Sequence, residues 1–264
     1  MVRSRIVRSI LTLGLLCLLA AEGKAQRYNF KFYGEDEGLK NLAVQAVLQD
    51  RAGFLWAGTQ NGLYRYDGNH FTAYSTADGL PGLRIESLYE SADGTLWVST
   101  DGGLARRVKD RFQTVELRDS QGILAEGLIG RQGITSDRSG RIYLATNRGL
   151  LRGTPSGKDT MFERIALPSG ASHAEVMSVF TDAAGTIWYG CGTGLCKIDN
   201  GAGVTEVGVA GGLPIDRWEA ILGDLDGNLW VRSASTLYLR AAGSTQFELR
   251  SEEHTSELQS LAYL

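Results

Sequence analysis

Short runs of alternating apolar and polar residues, separated by glycine-containing turns, occupy most of the chain. A typical unit begins with an apolar strand over residues 44–48, and Asp50 follows it. Next comes an Asp-x-x-Gly turn, because the carboxylate can accept backbone N–H bonds and glycine tolerates a positive φ. A central strand around Trp56, a third over 63–66 and a fourth over 71–74 complete the unit. The pattern therefore predicts a four-stranded antiparallel sheet.

This unit recurs five times, and an aromatic residue in the central strand, the anchor, marks each copy. The anchors are Trp56, Trp97, Tyr143, Trp188 and Trp230, with spacings of 41, 46, 45 and 42 residues. Gly stands three residues before every anchor and Leu seven residues after it, while Asp stands six residues before it in four copies. A period of roughly 40–45 residues with four strands per copy is typical of β-propeller blades.

Both faces of the central strand are apolar, because apolar residues flank every anchor on both sides. Successive side chains of a strand point to opposite faces, so such a sheet needs a neighbour on each face. We therefore predict an all-β protein, a β-propeller of four-stranded antiparallel blades with five repeats present, in which the anchors fill the space between blades. Helical repeats are excluded by the two-residue alternation, and a β-solenoid would need shorter coils.

The first 25 residues are typical of a secretory signal peptide. Three Arg residues precede an apolar run over residues 10–21, which is shorter than the roughly 20 residues that span a bilayer. Small residues at positions 23 and 25 predict cleavage before Gln26, and an uncleaved N-terminal anchor is the alternative. The mature chain is therefore expected in the periplasm or another extracytoplasmic space.

The two ends of the remaining chain predict a partial domain. Residues 250–260 read RSEEHTSELQS, which resembles a translated sequencing-adapter oligonucleotide, so we interpret 250–264 as a non-native tail. A genuine polar tail is the alternative. Residues 27–34 have the pattern of a fourth strand without the three strands that should precede it. Because propellers have roughly 4–8 blades, we expect residues 26–249 to form part of a ring that would have about seven blades when complete.

Several stretches of the repeat carry a specific motif. They read Gln49-Asp50, Gly53-Phe54-Leu55-Trp56-Ala57-Gly58-Thr59, Gly62-Leu63-Tyr64-Arg65-Tyr66-Asp67-Gly68 and, before the next copy, Asp78-Gly79-Leu80-Pro81. The motif resembles the two-component regulator propeller repeat, and the resemblance covers essentially residues 27–249. The third and fifth copies depart from it at Tyr143 and Thr236.

The resemblance implies a periplasmic sensor region of a membrane-bound regulator. In that family the propellers are followed by a small β-sandwich, a transmembrane helix and an output domain, usually a histidine kinase or a diguanylate cyclase. Many members respond to carbohydrate fragments. The implied partners are an unknown ligand, carbohydrate being one class, and the missing blades, transmembrane and output parts of the same parent chain. A homodimer of the parent is a further expectation.

Two other functions stay open at this point. One is a stand-alone secreted binding or scaffold propeller without a transmitter. The other is an extracellular carbohydrate-active propeller enzyme, such as a glycoside hydrolase or a lyase, which paired carboxylates in the channel would favour. A transmembrane helix and an output domain encoded beyond codon 249 would distinguish the sensor from both.

Composition narrows the chemistry further. The chain has 34 Gly but only 4 Pro and is 43% hydrophobic, which excludes a collagen or a disordered chain. A net charge of −3 does not indicate nucleic-acid binding, which requires an excess of positive charge. The few His residues are scattered, and no nucleophile-elbow or phosphate-loop motif occurs. We predict no catalytic residue, no metal and no cofactor in this chain.

Two local motifs need separate interpretation. Asp224-x-Asp226-Gly227 resembles part of a Ca²⁺ loop, but the same site is a plain turn in other copies, so we interpret it as a turn. Cys191 and Cys196 flank a turn on neighbouring strands and could pair in an oxidising compartment. Because pairing depends on strand register, two free thiols are the alternative.

The loops between copies are the candidate ligand-binding region. They span 35–43, 76–84, 121–132, 168–175 and 210–217 and vary in sequence where the blade core does not. Ligands of propellers usually meet the loops at one end of the channel. The candidate ligand-binding residues are Asn41, Arg84, Arg131, His173, Asp216 and Arg217. Ordinary solvated loops are the alternative interpretation.

Overall fold

The computed structural model describes residues 30–124, 127, 132–156, 159–166, 175–199 and 203–250. The chain divides into two compact units, Met1–Tyr33 and Gly34–Leu264. In the first unit only residues 30–33 are described, and they have no regular secondary structure. The predicted signal peptide (1–25) and residues 251–264 of the predicted tail (250–264) therefore lie outside the described residues.

Five mainly antiparallel sheets, one from each repeat, form the second unit. The first blade contains β1 (Val44–Gln49), β2 (Leu55–Thr59), β3 (Gly62–Tyr66) and β4 (Phe71–Tyr74). The second contains β5 (Ile85–Glu90), β6 (Leu96–Thr100), β7 (Gly103–Val108) and β8 (Arg111–Val115). The hairpin β9 (Arg118–Asp119) and β10 (Gly122–Ile123) comes next.

The last three blades follow the same plan. The third contains β11 (Ile134–Ser136), β12 (Ile142–Thr146), β13 (Gly149–Ser156) and β14 (Asp159–Arg164). The fourth contains β15 (Val179–Thr181), β16 (Ile187–Cys191), β17 (Gly194–Ile198) and β18 (Val204–Glu206). The fifth contains β19 (Ala220–Gly223), β20 (Leu229–Arg232), β21 (Leu237–Arg240) and β22 (Glu248–Arg250). Among the described residues, the helical elements are the short 3₁₀ turns Glu35–Glu37, Thr76–Asp78 and Val209–Gly211.

Successive blades pack face to face through hydrophobic clusters. The innermost strands contact one another in chain order, β1 with β5, β5 with β11, β11 with β15 and β15 with β19. Between the first two blades, Trp56 packs in one cluster with Leu96 and Val98, which flank the next anchor. Equivalent clusters join the later pairs of blades. The predicted β-propeller of mainly four-stranded antiparallel blades is confirmed.

Two local features differ from the expectations. The expected loop 121–132 is partly a strand, because β9 and β10 extend the third sheet to six strands. β9 runs parallel to β14, with Arg118 opposite Met161. The strand predicted over 27–34 is wrong for its described part, since residues 30–34 form no strand.

Arginine side chains link successive blades at the end of the blades that carries the Asp-x-x-Gly turns. Arg51 follows the turn Asp of the first blade, and its guanidinium donates to Ala92 O of the second at 2.5 Å. Arg138 makes the same bond from the third blade to Ala183 O of the fourth, also at 2.5 Å. Between the second and third blades the Tyr89 hydroxyl and Ser136 Oγ, 2.8 Å apart, perform this role.

Candidate functional site: the connector end of the propeller

Each anchor is hydrogen-bonded to the turn that precedes it, a contact that the sequence pattern does not predict. Trp56 Nε1 donates to Asp50 Oδ2 at 2.7 Å, while Asp50 Oδ1 accepts from Phe54 N at 2.9 Å. The bond recurs in the other blades, as Trp97 to Ser91 at 3.1 Å, Tyr143 to Asp137 at 3.2 Å, Trp188 to Asp182 at 2.9 Å and Trp230 to Asp224 at 3.0 Å. The turn residue of each blade therefore fixes the orientation of that blade's own anchor.

Asp137 is the most heavily bonded of these carboxylates. Burial alone would raise its pKa, but hydrogen bonds from Ser139 and Arg141 outweigh burial and lower the pKa of Asp137 below its ordinary value. The Arg141 guanidinium also forms an ion pair with Asp137 at 2.6 Å. The folded state therefore favours the ionised carboxylate.

Acid is expected to weaken the propeller partly through Asp137. A carboxyl group with a lowered folded pKa stabilises the fold above its unfolded pKa of about 3.9, and this contribution is lost as the pH falls through the folded pKa. As the pH falls below about 4, the free energy of unfolding of Asp137→Asn should therefore decrease less steeply than that of the wild type. Urea unfolding at a series of pH values measures it, with the exposed Asp110→Asn as the control. Parallel pH profiles for Asp137→Asn and wild type would contradict the assignment.

A hydroxyl clamp closes the hairpin between the second and third strands of most blades. Thr59 Oγ1 donates to Gly62 O at 2.8 Å and accepts from Asn61 N at 3.0 Å. Thr100 and Thr146 repeat the bond to the glycine carbonyl, at 3.1 and 2.7 Å. In the fifth blade, where Thr236 replaces the turn glycine, Ser233 Oγ lies 2.8 Å from Thr236 Oγ1. The fifth blade thus keeps a hydroxyl contact across this hairpin, although its turn residue differs from the motif.

The fourth blade carries Cys191 at the clamp position, three residues after its anchor. In the structure Cys191 forms a disulfide with Cys196, with Cα atoms 5.8 Å apart. The register pairs Cys191 with Gly194 and Tyr189 with Cys196, so the two cysteines are diagonal neighbours in one hairpin. The disulfide therefore stands where the other blades have a hydroxyl hydrogen bond.

Removing the disulfide is expected to cost about 2 kcal/mol of unfolding free energy, from the chain entropy of a short closed loop. We expect this cost in Cys191→Ala/Cys196→Ala. Cys191→Thr/Cys196→Ala should recover part of it, because threonine restores the hydroxyl clamp. Urea unfolding with and without a reductant measures both effects, and only the wild type should respond to the reductant. Two free thiols in the denatured, non-reduced protein would contradict the pairing.

The hairpins between second and third strands meet the connectors between repeats, and we call this the connector end. In the first blade, Gln60 N donates to Ala43 O at 3.2 Å and Gly62 N donates to Leu83 O at 2.8 Å. The fourth blade repeats the pattern, with Gly192 N bonded to Glu175 O at 3.2 Å and Thr193 O bonded to Asp216 N at 3.0 Å. Each of these hairpins is thus held between the connectors before and after it, which fixes the backbone under the candidate residues.

Asn41 and Arg84 lie at the connector end of the first two blades. The Asn41 side chain accepts from Ala43 N at 2.9 Å and so closes a local turn. Arg84 forms an ion pair with Glu86 at 2.7 Å, and its side chain is 57% exposed. Its backbone N donates to the Asp101 carboxylate at 3.2 Å. Arg84 thus projects from a fixed backbone with a carboxylate beside it.

A second charged group lies between the fourth and fifth blades. The Arg217 guanidinium pairs with Glu175, contacts Met177 Sδ at 3.6 Å and remains 54% exposed. Asp216 Oδ1 accepts from the backbone N of Arg217 at 2.8 Å. Arg131 and His173, the other two candidates, lie outside the described residues. The structure therefore gives two charged groups on different blades.

The carboxylate partners Glu86 and Glu175 are missing from the sequence-based candidates. Glu175 is 42 residues from Arg217 in sequence, and only the packing of one blade on the next brings the two together. Gln132 is a further residue that the sequence does not single out. Its Oε1 accepts from Ile221 N at 3.0 Å, and its carbonyl accepts from Val179 N at 2.9 Å, so it joins the third, fourth and fifth blades.

Within the described ranges, no group of three His, Cys, Asp or Glu side chains could hold a metal ion. At Asp224, the carboxylate accepts from Asp226 N and Asn228 N, at 3.1 and 2.8 Å, as in the predicted turn. No helix in the described part of the chain is long and apolar enough to cross a membrane.

The repeated blade contacts and the sheet order define a β-propeller built from five similar repeats. The family model described as two component regulator propeller matches residues 38–61 and 79–102, and this confirms the resemblance in the first two repeats. No curated protein matches the chain.

Solved structures with the same fold include proteins of different functions. The extracellular domain of the hybrid two component system BT4673 from B. thetaiotaomicron is 21% identical, with a TM-score of 0.65 over 79% of this chain and 31% of that one. PorZ, a surface component of the type-IX secretion system of Porphyromonas gingivalis, is 16% identical, with a TM-score of 0.66 over 87% and 36%. Virginiamycin B lyase from Staphylococcus aureus is 18% identical, with a TM-score of 0.60 over 87% and 74%. These similarities show the fold, and the chain spans about a third of the BT4673 domain.

Proposed function

We propose that this chain is the ligand-sensing β-propeller of an extracytoplasmic, membrane-bound regulator of the two-component type. The observation that supports this most is the family match at residues 38–61 and 79–102. The propeller binds its ligand and performs no chemistry. Binding shifts the population of propeller arrangements, and the transmembrane and output parts of the parent chain transmit that shift.

The connector end is the proposed binding surface. The exposed guanidinium groups of Arg84 and Arg217 each lie beside a carboxylate, so each group offers donors and acceptors together. Ligands with many hydroxyl groups can donate to the carboxylate and accept from the guanidinium. Since the hairpin bonds hold the backbone in place, these side chains are positioned before binding, as in most small-molecule sites. A carbohydrate fragment is therefore the proposed ligand class.

Export is the first part of the proposal to test. The full chain, fused to a reporter enzyme that is active only outside the cytoplasm, is expected to give reporter activity. The N-terminal residue of the secreted product should be Gln26. A fusion protein that stays in the cytoplasm with Met1 intact would contradict the extracytoplasmic role.

Ligand binding is the second part. Carbohydrate fragments are screened against the secreted chain by thermal shift, and at least one fragment is expected to raise the melting temperature. Arg84→Ala and Arg217→Ala should each reduce that shift. Arg118→Ala is the matched control, because it removes an exposed, ion-paired arginine of β9. A shift that all three variants keep would place the site away from the connector end.

An extracellular enzyme is another candidate function, since virginiamycin B lyase, which has the same fold, is an enzyme. A lyase or hydrolase would convert the fragment that it binds, whereas a sensor would release it unchanged. A stand-alone secreted propeller is the third possibility, and it would be encoded without a transmembrane helix or an output domain. Mass spectrometry of the recovered ligand distinguishes a sensor from an enzyme. The sequence of the parent gene distinguishes a sensor from a stand-alone propeller.

A further inference from the structure

Of the five blades, the fourth is the one that closes the hairpin between its second and third strands with a disulfide. In the other four blades a hydroxyl group three residues after the anchor makes the closing contact, at Thr59, Thr100, Thr146 and Ser233. Those hairpins form without a covalent bond, so the fold of this hairpin does not require one. The disulfide instead gives the fourth hairpin a second chemical state, because thiols can reduce it.

We propose that the disulfide between Cys191 and Cys196 is a thiol–disulfide exchange site, and that its reduction by a dithiol loosens the connector end between the fourth and fifth blades. Cys191 is partly exposed, whereas Cys196 is 1% exposed and packs in the cluster between the third and fourth blades. A thiolate can therefore reach the sulfur of Cys191 but not that of Cys196. No other cysteine follows residue 17 in the sequence, so no further thiol of the exported chain competes for this pair.

Reduction by a dithiol takes two exchange steps. In the first, a thiolate of the reductant attacks Sγ of Cys191, a mixed disulfide forms, and Cys196 leaves as a thiolate that takes up a proton. In the second, the other thiolate of the reductant attacks the reductant's own sulfur in the mixed disulfide, and Cys191 leaves and is protonated in turn. The protein gains two electrons and two protons, and the dithiol becomes a disulfide.

The loop between the two cysteines holds the connectors on both of its sides. Gly192 N donates to Glu175 O at 3.2 Å, and Thr193 O accepts from Asp216 N at 3.0 Å. The Glu175 carboxylate pairs with Arg217, which directly follows Asp216. The hairpin therefore positions both members of this ion pair through their backbones.

Reduction should let this hairpin open more often. A thiol is a weak hydrogen-bond donor, so the reduced Cys191 does not replace the hydroxyl clamp that Thr59 provides in the first blade. Opening releases the backbone bonds to Glu175 and Asp216 and lets the charged group move. Weaker ligand binding by Arg217 follows from this, a consequence that rests on the proposed function.

Exchange of backbone amide hydrogens tests the proposal without any ligand. The full chain, secreted so that the disulfide forms, is compared before and after treatment with dithiothreitol in the absence of urea. We expect exchange about tenfold faster at the amides of Gly192 and Asp216 after reduction. The first blade supplies the internal reference, because Gln60 N and Gly62 N make the equivalent bonds to connectors beside a hairpin that has no disulfide. Their exchange should stay unchanged.

The matched variant is Cys191→Thr/Cys196→Ala, which restores the hydroxyl clamp and removes the exchange site. It should keep the amides of Gly192 and Asp216 protected and should not respond to dithiothreitol. Glutathione, a monothiol, serves as the second probe of the wild type. Peptide mass spectrometry should find it attached to Cys191 and not to Cys196.

Three results would overturn the proposal. The first is a disulfide that resists dithiothreitol until urea unfolds the chain. The second is equal acceleration of exchange in the hairpins of the first and fourth blades, because reduction would then act on the whole fold. The third is reduction with no acceleration at Gly192 and Asp216. Each result is obtained without a carbohydrate, so it leaves the proposed sensor function to its own tests.

Discussion

Trp56→Ala is expected to cost about 4 kcal/mol of the free energy of unfolding, the usual cost of truncating a fully buried tryptophan. Trp56 has no exposed surface, and it packs against Tyr74 and Phe112 at centroid distances of 5.6 and 6.3 Å. The Arg107 guanidinium of the next blade covers its ring at 5.1 Å. The substitution would also leave the buried Asp50 without its indole partner. Both the cavity and the lost hydrogen bond therefore destabilise the first interface.

The matched control is Trp230→Ala, which removes the same side chain from the same repeat position. Trp230 is half-buried, and its bond to Asp224 lies at the surface, so we expect a loss of only about 1–2 kcal/mol. Urea unfolding followed by circular dichroism compares the two variants. Equal losses would mean that the fifth blade's anchor is as fully packed as the first, against the burial seen in the structure.

Gly79→Ala is expected to cost about 3 kcal/mol or more, because strain and overlap act together. Gly79 has a φ of +99°, a conformation that L-residues rarely adopt. A Cβ atom there would overlap the carbonyl oxygen of Phe112 in β8, and that strand is held in register by β7. Backbone cannot move aside as a flexible side chain can, so the connector before the second blade would be displaced.

Gly53→Ala separates the two contributions. Gly53 has a similar φ of +91°, but a Cβ atom there would meet nothing within 4 Å. We therefore expect only the conformational cost of about 1–2 kcal/mol. Gly212 and Gly38 occupy the connector position of Gly79 and would approach Phe247 O and Phe71 O less closely, at 2.5 and 3.0 Å, so their Ala variants should be intermediate. Equal costs at Gly53 and Gly79 would contradict the importance of this contact.

The repeating part of the fold was predictable from the sequence. Strand alternation, the anchor spacing and the turn glycines depend on near neighbours, and they located the strands of the first blade to within a residue or two. The hairpin of β9 and β10 was not predictable. It depends on a pairing between Arg118 and Met161, 43 residues apart, in the connection with the longest anchor spacing.

The places of Arg84 and Arg217 in the fold were predictable from the sequence, but their side-chain contacts were not. The sequence placed Arg84 and Arg217 in variable connectors, and both lie at the connector end. Glu86 lies only two residues from Arg84 along the chain, whereas Glu175 reaches Arg217 because one blade packs on the next. The hydrogen bond from Trp56 to Asp50 was not predictable either. The separation of six residues along the chain does not determine which way the indole N–H points.

The proposed sensor function requires that the connector end bind a ligand without changing it chemically. Equilibrium dialysis of the secreted chain with a fragment selected by thermal shift, followed by mass spectrometry of the recovered fragment, tests this directly. We predict saturable binding in the wild type, weaker binding in Arg217→Ala and full recovery of the intact fragment. Recovery of a cleaved or eliminated product would contradict the sensor function and identify an enzyme.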